Sequence, residues 1–187
     1  MTITIDPNAF GVALFPWTML MTLFGLIGAL FYMQRAARGL RVSQGAMYRL
    51  MLRVVFWALL GARIFHTVDY AGFYGELPLQ IFYLWNGGLS LWGALIVGGA
   101  GALWHVRHWG LHRGMFAVQL TIAGLIAIAA GRLGDFLVGE RIGAPTLLPW
   151  GVTYANGDSE SFGFGATHPV ALYEMLLASV VLACIAR

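Results

Sequence analysis

The sequence predicts an all-α polytopic membrane protein, a bundle of about five transmembrane helices with its N-terminus outside the cytoplasm. Hydrophobic residues make up 59% of the 187-residue chain and charged residues only 10%, which is unlike soluble globular domains. The mean hydropathy is +0.76. Several apolar runs also approach the roughly 20 residues that a helix needs to cross a bilayer.

The elements follow these apolar runs in order. The second run is weaker than the others because Arg49, Arg53 and Arg63 interrupt it. Short polar turns and one long glycine-rich connection, residues 131–168, separate the runs, so we expect residues 1–187 to form one transmembrane domain. We expect it to be incomplete at the C-terminus, since the last run stops at the chain end. Spans are expected at about residues 13–33, 46–66, 89–104, 115–131 and 169–186.

The positions of the arginines predict the topology. The chain contains no lysine, and its basic residues cluster in the loops after the first and third spans. By the positive-inside rule these loops face the cytoplasm. The N-terminus, the 65–88 loop and the 131–168 connection then face outward. Met1 to Phe10 lacks a basic region and a cleavage site, so no removable signal peptide is expected. The clustered arginines are Arg35, Arg38, Arg41, Arg49 and Arg53 after the first span and Arg107 and Arg113 after the third.

Small residues recur at helical spacing within the spans. Helices in lipid associate by bringing their backbones close at such residues, so we interpret them as packing faces. Cys184, the only cysteine, is expected to pack as well, and a single thiol excludes an internal disulfide or a cysteine-based metal cluster. The packing sets are Gly25 and Ala29, then Ala94, Gly98 and Ala102, then Ala123, Ala127 and Gly131.

The segment 131–143 carries unusual charge for its place directly after an apolar run: Arg132, Asp135, Glu140 and Arg141. If the fourth span continues as a helix, Arg132 and Asp135 share one face and Glu140 lies within about a quarter-turn of Arg132. Arginine binds phosphate through a planar fork of donors and keeps its charge in a poorly hydrated pocket. Arg132 is therefore a candidate for binding a lipid phosphate. The alternative is a salt bridge to Asp135 or snorkelling to the interface.

The last span opens with His168 and Pro169, with Tyr173 and Glu174 one turn inside. An imidazole accepts protons near neutral pH, so His168 is either a proton acceptor or an interfacial residue. Glu174 at membrane depth should be paired or protonated.

Two other polar features leave alternatives open. Gly87 and Gly88 precede the third span and suit either a tight turn or an approach of the backbone to a ligand. His105, His108 and His112 have spacings that metal sites also use, but a solvated loop is the simpler interpretation. The sequence contains no Walker loop, nucleophile elbow or zinc-protease motif.

Four motifs occur together in order. Gly131 to Gly143 reads G-R-L-G-D-F-L-V-G-E-R-I-G, which resembles the G-R-x-G-N-F-x-N-x-E signature of the bacterial prolipoprotein diacylglyceryl transferases. Three further segments resemble that family's G-G-R-I, W-x-G-G-M-S and H-P-x-x-L-Y-E motifs, so the resemblance covers about residues 17–180. These segments are Gly61 to Ile64, Trp85 to Ser90 and His168 to Glu174.

The resemblance implies an inner-membrane enzyme of lipoprotein maturation. Such an enzyme moves the diacylglyceryl group of phosphatidylglycerol onto the thiol of a lipobox cysteine in a preprolipoprotein, and releases glycerol phosphate. No metal or soluble cofactor is expected. The implied partners are phosphatidylglycerol, lipobox peptides and membrane lipids, with no nucleic acid.

The resemblance also implies roles for individual residues. Arg132 would bind the phosphoglycerol headgroup and stabilise the departing phosphate, which agrees with the charge argument. Glu140 and Gly143 would help to shape that pocket. Further contacts to substrate are expected from the motif residues Arg63, Gly87, Gly88 and Tyr173.

The chain departs from the family pattern at several positions. Trp92 stands where the family usually has a histidine that is a candidate for activating the thiol, so Asp135 or His168 is expected to supply a base. Asp135 and Val138 replace asparagines of the signature, and Thr18 replaces a tyrosine. The family's chains usually continue through about two more spans with another arginine. The rival hypotheses are an inactive relative that binds lipid or lipoprotein precursors, and a small membrane transporter.

Overall fold

The computed structural model describes residues 2–8, 16–83, 88–109, 112–157, 159 and 161–185, and most of them are helical. The elements are β1 (Thr2–Ile3), α1 (Trp17–Ala36), α2 (Gln44–Asp69), α3 (Ala71–Glu76), α4 (Leu91–His108), α5 (Arg113–Val138), β2 (Thr153–Tyr154) and α6 (Val170–Ile185). A 3-10 helix, Pro78–Phe82, follows α3.

The predicted all-α membrane fold is confirmed. In the described part of the chain, α1, α2 and α5 are long and apolar enough to cross a membrane, and α6 is a shorter apolar helix. Helices also occupy the other two predicted spans, at α4 and α6. The number of spans, five, stays a prediction.

The arginines in the second span do not interrupt its helix. Ser43 caps α2, and its side chain accepts a hydrogen bond from the backbone N–H of Ala46. Arg49 and Arg53 lie on the exposed surface, whereas Arg63 is buried. The helix therefore accommodates the first two as surface charges, and only Arg63 needs partners inside the protein.

The chain divides into two compact units, Met1–Met33 with Leu120–Arg187 and, separately, Gln34–Gln119. We call them unit 1 and unit 2. Unit 1 holds the signature segment, the long connection and α6. Unit 2 holds α2, α3 and α4.

Unit 2 is built on a close contact between α2 and α4. Gly61 and Gly93 meet backbone to backbone, where a Cβ on either would collide with the other residue. A Cβ on Gly98 would lie 2.8 Å from the Cβ of Ala58, and Ala102 is fully buried. The packing role predicted for Gly98 and Ala102 is confirmed, because small residues allow this approach.

Unit 1 contains the corresponding contact between α1 and α5. A Cβ on Gly25 would lie 2.8 Å from the Cβ of Ala130 and 2.9 Å from the carbonyl oxygen of Ala127. The packing predicted for Gly25 and Ala127 is therefore confirmed.

The connection after α5 folds back on the end of that helix. β2 pairs in parallel with β1 in a small sheet that the sequence did not predict. Ile3, Val152 and Tyr154 form a small buried core there. Burial raises the pKa of the Tyr154 hydroxyl to about 12. The connection is thus a structured cap and not an open loop.

Three hydroxyl groups of this cap bind carbonyl groups at the end of α5, which lack partners inside the helix. The Tyr154 hydroxyl donates to Phe136 at 2.6 Å, and the Ser159 hydroxyl donates to Val138 at 2.6 Å. The Ser161 hydroxyl donates to Gly139. The cap therefore fixes the C-terminal turn of α5.

Candidate functional site

A cluster of charged side chains lies at the C-terminal end of α5 in unit 1. Arg132 Nη1 donates to Asp135 Oδ2 at 2.6 Å, and Arg141 Nε lies 3.2 Å from the same oxygen. Arg132 Nε forms an ion pair with Glu174 Oε2 of α6. The side chains of Arg132 and Asp135 are only 13% and 11% exposed. Two guanidinium groups and two carboxylates thus balance each other, with Arg132 and Asp135 mostly buried and Arg141 and Glu174 about half exposed.

Local backbone geometry brings these groups together. Because α5 continues to Val138, Arg132 and Asp135 are one turn apart on the same face. Gly139 then takes a left-handed conformation with φ +83° and ends the helix. Arg141 is also left-handed, with φ +57°, and its side chain reaches Asp135. The sequence prediction that Arg132 and Asp135 share a face is confirmed.

The prediction for Glu140 is wrong in its geometry. The helix ends at Val138, so Glu140 is not a quarter-turn from Arg132 on a continuous helix. Its backbone N–H and that of Gly139 both donate to the carbonyl of Asp135 at 3.0 Å. This pair of hydrogen bonds to one carbonyl is typical of a helix that ends at a glycine C-cap. The left-handed conformation of Gly139 allows it.

One contact in the cluster lacks hydrogen-bond geometry. Arg132 Nε and Glu174 Oε2 are close, but among the described residues neither atom has a hydrogen-bond partner, and both are buried. Buried polar atoms are nearly always hydrogen-bonded in folded proteins. The Nε side of the guanidinium is therefore occupied by the Glu174 carboxylate through an ion pair that lacks hydrogen-bond geometry.

A second polar group lies at the start of α6. His168 Nδ1 lies 3.1 Å from the Tyr173 hydroxyl, which also accepts a hydrogen bond from Trp150 Nε1 at 2.9 Å. Gly143 packs tightly beside it, since a Cβ there would lie 2.8 Å from the Cβ of His168. The Gly143 N–H donates to the His168 carbonyl at 3.0 Å. Gly143 thus joins the segment after α5 to the start of α6.

Arg63 occupies a different environment in unit 2. It is only 6% exposed, and its Nε donates to the Ile81 carbonyl at 2.7 Å. Its Nη1 donates to the Gly88 carbonyl at 2.9 Å, and its Nη2 to the carbonyls of Gln80 and, at 3.4 Å, Tyr83. These bonds hold the segment before α4 against α2.

A cavity of about 440 Å³ opens beside Arg63. The guanidinium carbon lies 5.2 Å from the centre of the Tyr74 ring, a cation–π arrangement. Gly88 has φ +77°, and a Cβ there would lie 2.6 Å from His66 Nε2. The turn interpretation of Gly88 is therefore supported, while Gly87, Trp85 and Asn86 lie outside the described residues. The cavity lining is Arg63, His66, Tyr70, Phe73, Tyr74, Gln80 and Gly88.

The three histidines His105, His108 and His112 contact backbone groups. His105 Nδ1 lies 2.8 Å from the Gly101 carbonyl, and His108 Nδ1 lies 3.0 Å from that of Trp104. His112 Nδ1 accepts from the Met115 N–H at 3.3 Å. No group of three potential metal ligands occurs in the part of the chain that the structure describes.

Sequence reasoning found part of the cluster. The expectation that Glu174 is paired is confirmed by its contact with Arg132. The bond from Arg141 to Asp135 was missed, because it depends on a left-handed backbone at a non-glycine residue, which sequence patterns rarely indicate. His66 in the cavity was missed as well. Its position one turn after Arg63 was the available signal.

Comparisons with known proteins agree with the motifs. The model of the prolipoprotein diacylglyceryl transferase family matches residues 9–187. A relative from Geobacter sulfurreducens is 32% identical over 183 residues, which cover 95% of this chain and 68% of the relative. A relative from Nitratidesulfovibrio vulgaris strain DP4 is 36% identical over 186 residues, which cover 95% of this chain and 68% of the relative.

A third relative, from Mycobacteroides abscessus, is 32% identical over 170 residues, which cover 81% of this chain and 50% of the relative. All three carry the name phosphatidylglycerol–prolipoprotein diacylglyceryl transferase. The chain therefore spans about half to two thirds of the length of these relatives.

Proposed function

Because the chain belongs to the prolipoprotein diacylglyceryl transferase family, as its motifs predicted, we propose that it transfers the diacylglyceryl group of phosphatidylglycerol to a cysteine thiol of a prolipoprotein. The acceptor is the lipobox cysteine of the precursor, and the products are a thioether and glycerol phosphate. The protein is a multi-pass membrane protein by its apolar helices, and the proposed location is the bacterial inner membrane.

The observation that carries this proposal is the guanidinium of Arg132, which is only 13% exposed and is held by two carboxylates at the C-terminal end of α5. Asp135 holds Nη1 at 2.6 Å and so fixes the plane of the guanidinium. Nε is ion-paired with Glu174, whose side chain is 41% exposed. A phosphate that replaces the Glu174 carboxylate would bind in the paired geometry that guanidinium and phosphate favour. We assign the headgroup phosphate of phosphatidylglycerol to this side of Arg132, in exchange for Glu174.

The cluster is suited to a leaving phosphate because its donors are positioned before the reaction. Negative charge grows on the phosphate as its bond to the diacylglyceryl carbon breaks. A cationic donor already aimed at that charge in a buried site lowers the barrier without further reorganisation. Arg141, tied to Asp135 at 3.2 Å, offers a second cation at the more exposed side.

Other motif residues support this pocket. Gly143 keeps the chain after α5 close to His168, and Glu140 lies at the turn that ends the helix. Tyr173 and His168 form the hydrogen-bonded group at the start of α6, beside Glu174 in sequence. We propose that these residues position the headgroup and that Arg132 contacts its phosphate.

The experiment follows radiolabelled phosphatidylglycerol onto a lipobox peptide in membranes that contain the full-length protein. Arg132→Lys keeps the charge but loses the planar fork, and we expect transfer to fall by about 10²–10³-fold, the size of the loss when one positioned donor is removed. Arg113→Lys, at an exposed arginine outside the cluster, is the matched control and should transfer at the wild-type rate.

Each outcome of this experiment is informative. Absence of transfer by folded, inserted wild-type protein would contradict the proposed enzyme, and retained lipid binding would then assign the inactive lipid-binding role. Wild-type transfer by Arg132→Lys would contradict the assignment of the phosphate to Arg132.

A further inference from the structure

We propose that Glu174 is a resident competitor for the phosphate position of Arg132, and that its return to Arg132 releases the glycerol phosphate product. This inference rests on the proposed function, since it assigns a role in product release at the same phosphate site. The residues that carry it all belong to unit 1. The protein itself undergoes no covalent change in this step, which exchanges two anions on one guanidinium.

Arg132 is held by two carboxylates that come from different helices. Asp135 lies one turn further along α5 and accepts the hydrogen bond from Nη1 at 2.6 Å. Glu174 belongs to α6 and forms the ion pair with Nε. The contact with Glu174 can therefore open by rotation of one side chain, while Asp135 continues to fix the plane of the guanidinium.

The contact with Glu174 is the weaker of the two. The Glu174 side chain is 41% exposed, against 11% for Asp135, so it has room to turn away from the cluster. Among the described residues, neither Nε of Arg132 nor Oε2 of Glu174 has a hydrogen-bond partner, although both atoms are buried. Charge-assisted hydrogen bonds of good geometry are the strong ones. An anion that accepts such a bond from Nε can thus displace Glu174.

The proposed reaction increases the negative charge that lies against Arg132. The carbon–oxygen bond to phosphate breaks with its electron pair on oxygen, the carbon bonds to the cysteine sulfur, and the thiol proton is released to solvent. A phosphodiester with a single negative charge thus becomes a phosphate monoester, which carries about −1.5 to −2 at pH 7. Attraction to a cation grows with the charge of the anion. Arg132 alone would therefore hold the product more tightly than the substrate.

A second carboxylate beside Arg132 offsets this difference. The charge of Glu174 repels the more highly charged product more strongly than it repels the lipid. Glu174 also pairs with Nε as the product leaves, so the guanidinium, only 13% exposed, keeps a partner. A buried charge without a partner is costly. Glu174 thus favours exchange of product for the next lipid over tight binding of either.

The alternative role for this ion pair is a structural link between α5 and α6. The two roles predict effects of opposite sign when the charge of Glu174 is removed. Loss of a link loosens the site and weakens the binding of a phosphate ligand. Loss of a competitor frees Arg132 and strengthens that binding.

The test compares Glu174→Gln with the wild type in the full-length protein, because glutamine keeps the shape of the side chain and removes its charge. The first measurement is equilibrium binding of radiolabelled glycerol phosphate to protein in phosphatidylcholine nanodiscs. A site that is open in about a tenth of the molecules binds its ligand about tenfold more weakly than an open site. We expect Glu174→Gln to bind glycerol phosphate about tenfold more tightly, and phosphatidylglycerol by a smaller factor.

The second measurement is the time course of transfer to a lipobox peptide. Tighter binding acts mostly through slower dissociation, so product release should become rate-limiting in Glu174→Gln. We expect a first turnover at the wild-type rate, followed by a steady state about tenfold slower, with kcat and KM for phosphatidylglycerol both reduced. A structural defect would instead slow the first turnover and show no burst.

The control is Glu76→Gln, at an exposed glutamate of α3 in unit 2, which should bind glycerol phosphate like the wild type. Unchanged or weaker binding by folded Glu174→Gln would overturn the inference. If Glu174→Gln does not fold, Glu174→Ala carries the same test, because it also removes the competing charge. Tighter binding by Glu174→Gln without any transfer by the wild type would support the exchange at Arg132 and contradict the proposed function.

Discussion

Arg63 in unit 2 and Arg132 in unit 1 are both buried arginines near the ends of apolar helices, yet their partners differ in kind. The described acceptors of Arg63 are backbone carbonyls of the segment before α4. Those of Arg132 are the carboxylates of Asp135 and Glu174. One arginine therefore binds a loop through its described contacts, whereas the other belongs to a balanced charge cluster.

This difference separates two uses of the same side chain. Carbonyl groups satisfy the donors of a guanidinium without neutralising it, and the described contacts of Arg63 are of this kind. Carboxylates neutralise the guanidinium and also compete with an anionic ligand for its donors. A phosphate would therefore have to replace a carboxylate of the cluster, and Glu174, at 41% exposure against 11% for Asp135, is the one placed to give way.

The largest effect on folding is expected from Arg63→Ala. It leaves the carbonyls of Ile81 and Gly88 without the donor that binds them. Each buried carbonyl that loses its partner costs about 1–3 kcal/mol, so we expect a loss of about 3 kcal/mol in the free energy of unfolding. Thermal unfolding in detergent micelles measures it.

Arg53→Ala is the matched control, since Arg53 lies on the exposed surface of the same helix. Its unfolding temperature should match the wild type, because surface substitutions usually change stability by less than about 0.5 kcal/mol. Equal losses in the two variants would show that Arg63 does not organise the loop and would remove the contrast with Arg132.

A smaller effect is expected from Asp135→Asn, which makes one partner of Arg132 neutral, as the described partners of Arg63 are. The amide oxygen still accepts from Nη1, but the cluster gains one unit of positive charge. We expect anionic phosphatidylglycerol to bind more tightly by on the order of 1 kcal/mol, about fivefold in affinity. Lipid binding in nanodiscs measures this change, with zwitterionic phosphatidylcholine as the control lipid.

The two lipids distinguish the explanations. Tighter binding of phosphatidylglycerol alone would support electrostatic control of the Arg132 cluster. An equal change for phosphatidylcholine, or weaker binding of phosphatidylglycerol, would contradict it.

The smallest effect is expected from Tyr154→Phe, which tests whether the cap supports the end of α5 near Arg132. Loss of the hydrogen bond to Phe136 should cost about 1 kcal/mol. The folded-state pKa of Tyr154 is raised from 10.0 to about 12, so the folded form holds its proton more tightly than the unfolded chain.

This pKa shift predicts a pH dependence. The stabilisation that comes from the protonated hydroxyl of Tyr154 is complete below about pH 10. It is lost as the pH rises to about 12. Thermal unfolding across this range should show a smaller decline for Tyr154→Phe than for the wild type. Equal declines in the two proteins would contradict the role of Tyr154.

Sequence reasoning identified the membrane class, the helices and the family. It also placed Arg132 and Asp135 on one face, since residues three apart share a helix face, and it gave their ion pair as the alternative to a phosphate site. It was wrong for Glu140, because the ending of α5 depends on the conformation of Gly139 and on hydroxyl donors some 20 residues away. Local periodicity carries no information about such partners.

The role of Arg63 shows the same limit. Its motif indicated importance, but the choice between a substrate contact and a loop anchor depends on which carbonyls reach it. Those carbonyls belong to residues 17 to 25 positions further along the chain. Only the folded loop shows that its donors bind backbone.

The sequence by itself determined that this protein is an apolar helical membrane protein of a transferase family, with an arginine-centred signature after its fourth apolar run. Composition and motif order suffice for that, because burial in lipid and helix periodicity act locally. Tertiary structure decided which charges meet. It paired Arg132 with Glu174, brought Arg141 back to Asp135 and placed His66 beside the cavity, since these contacts depend on turns and packing between distant segments.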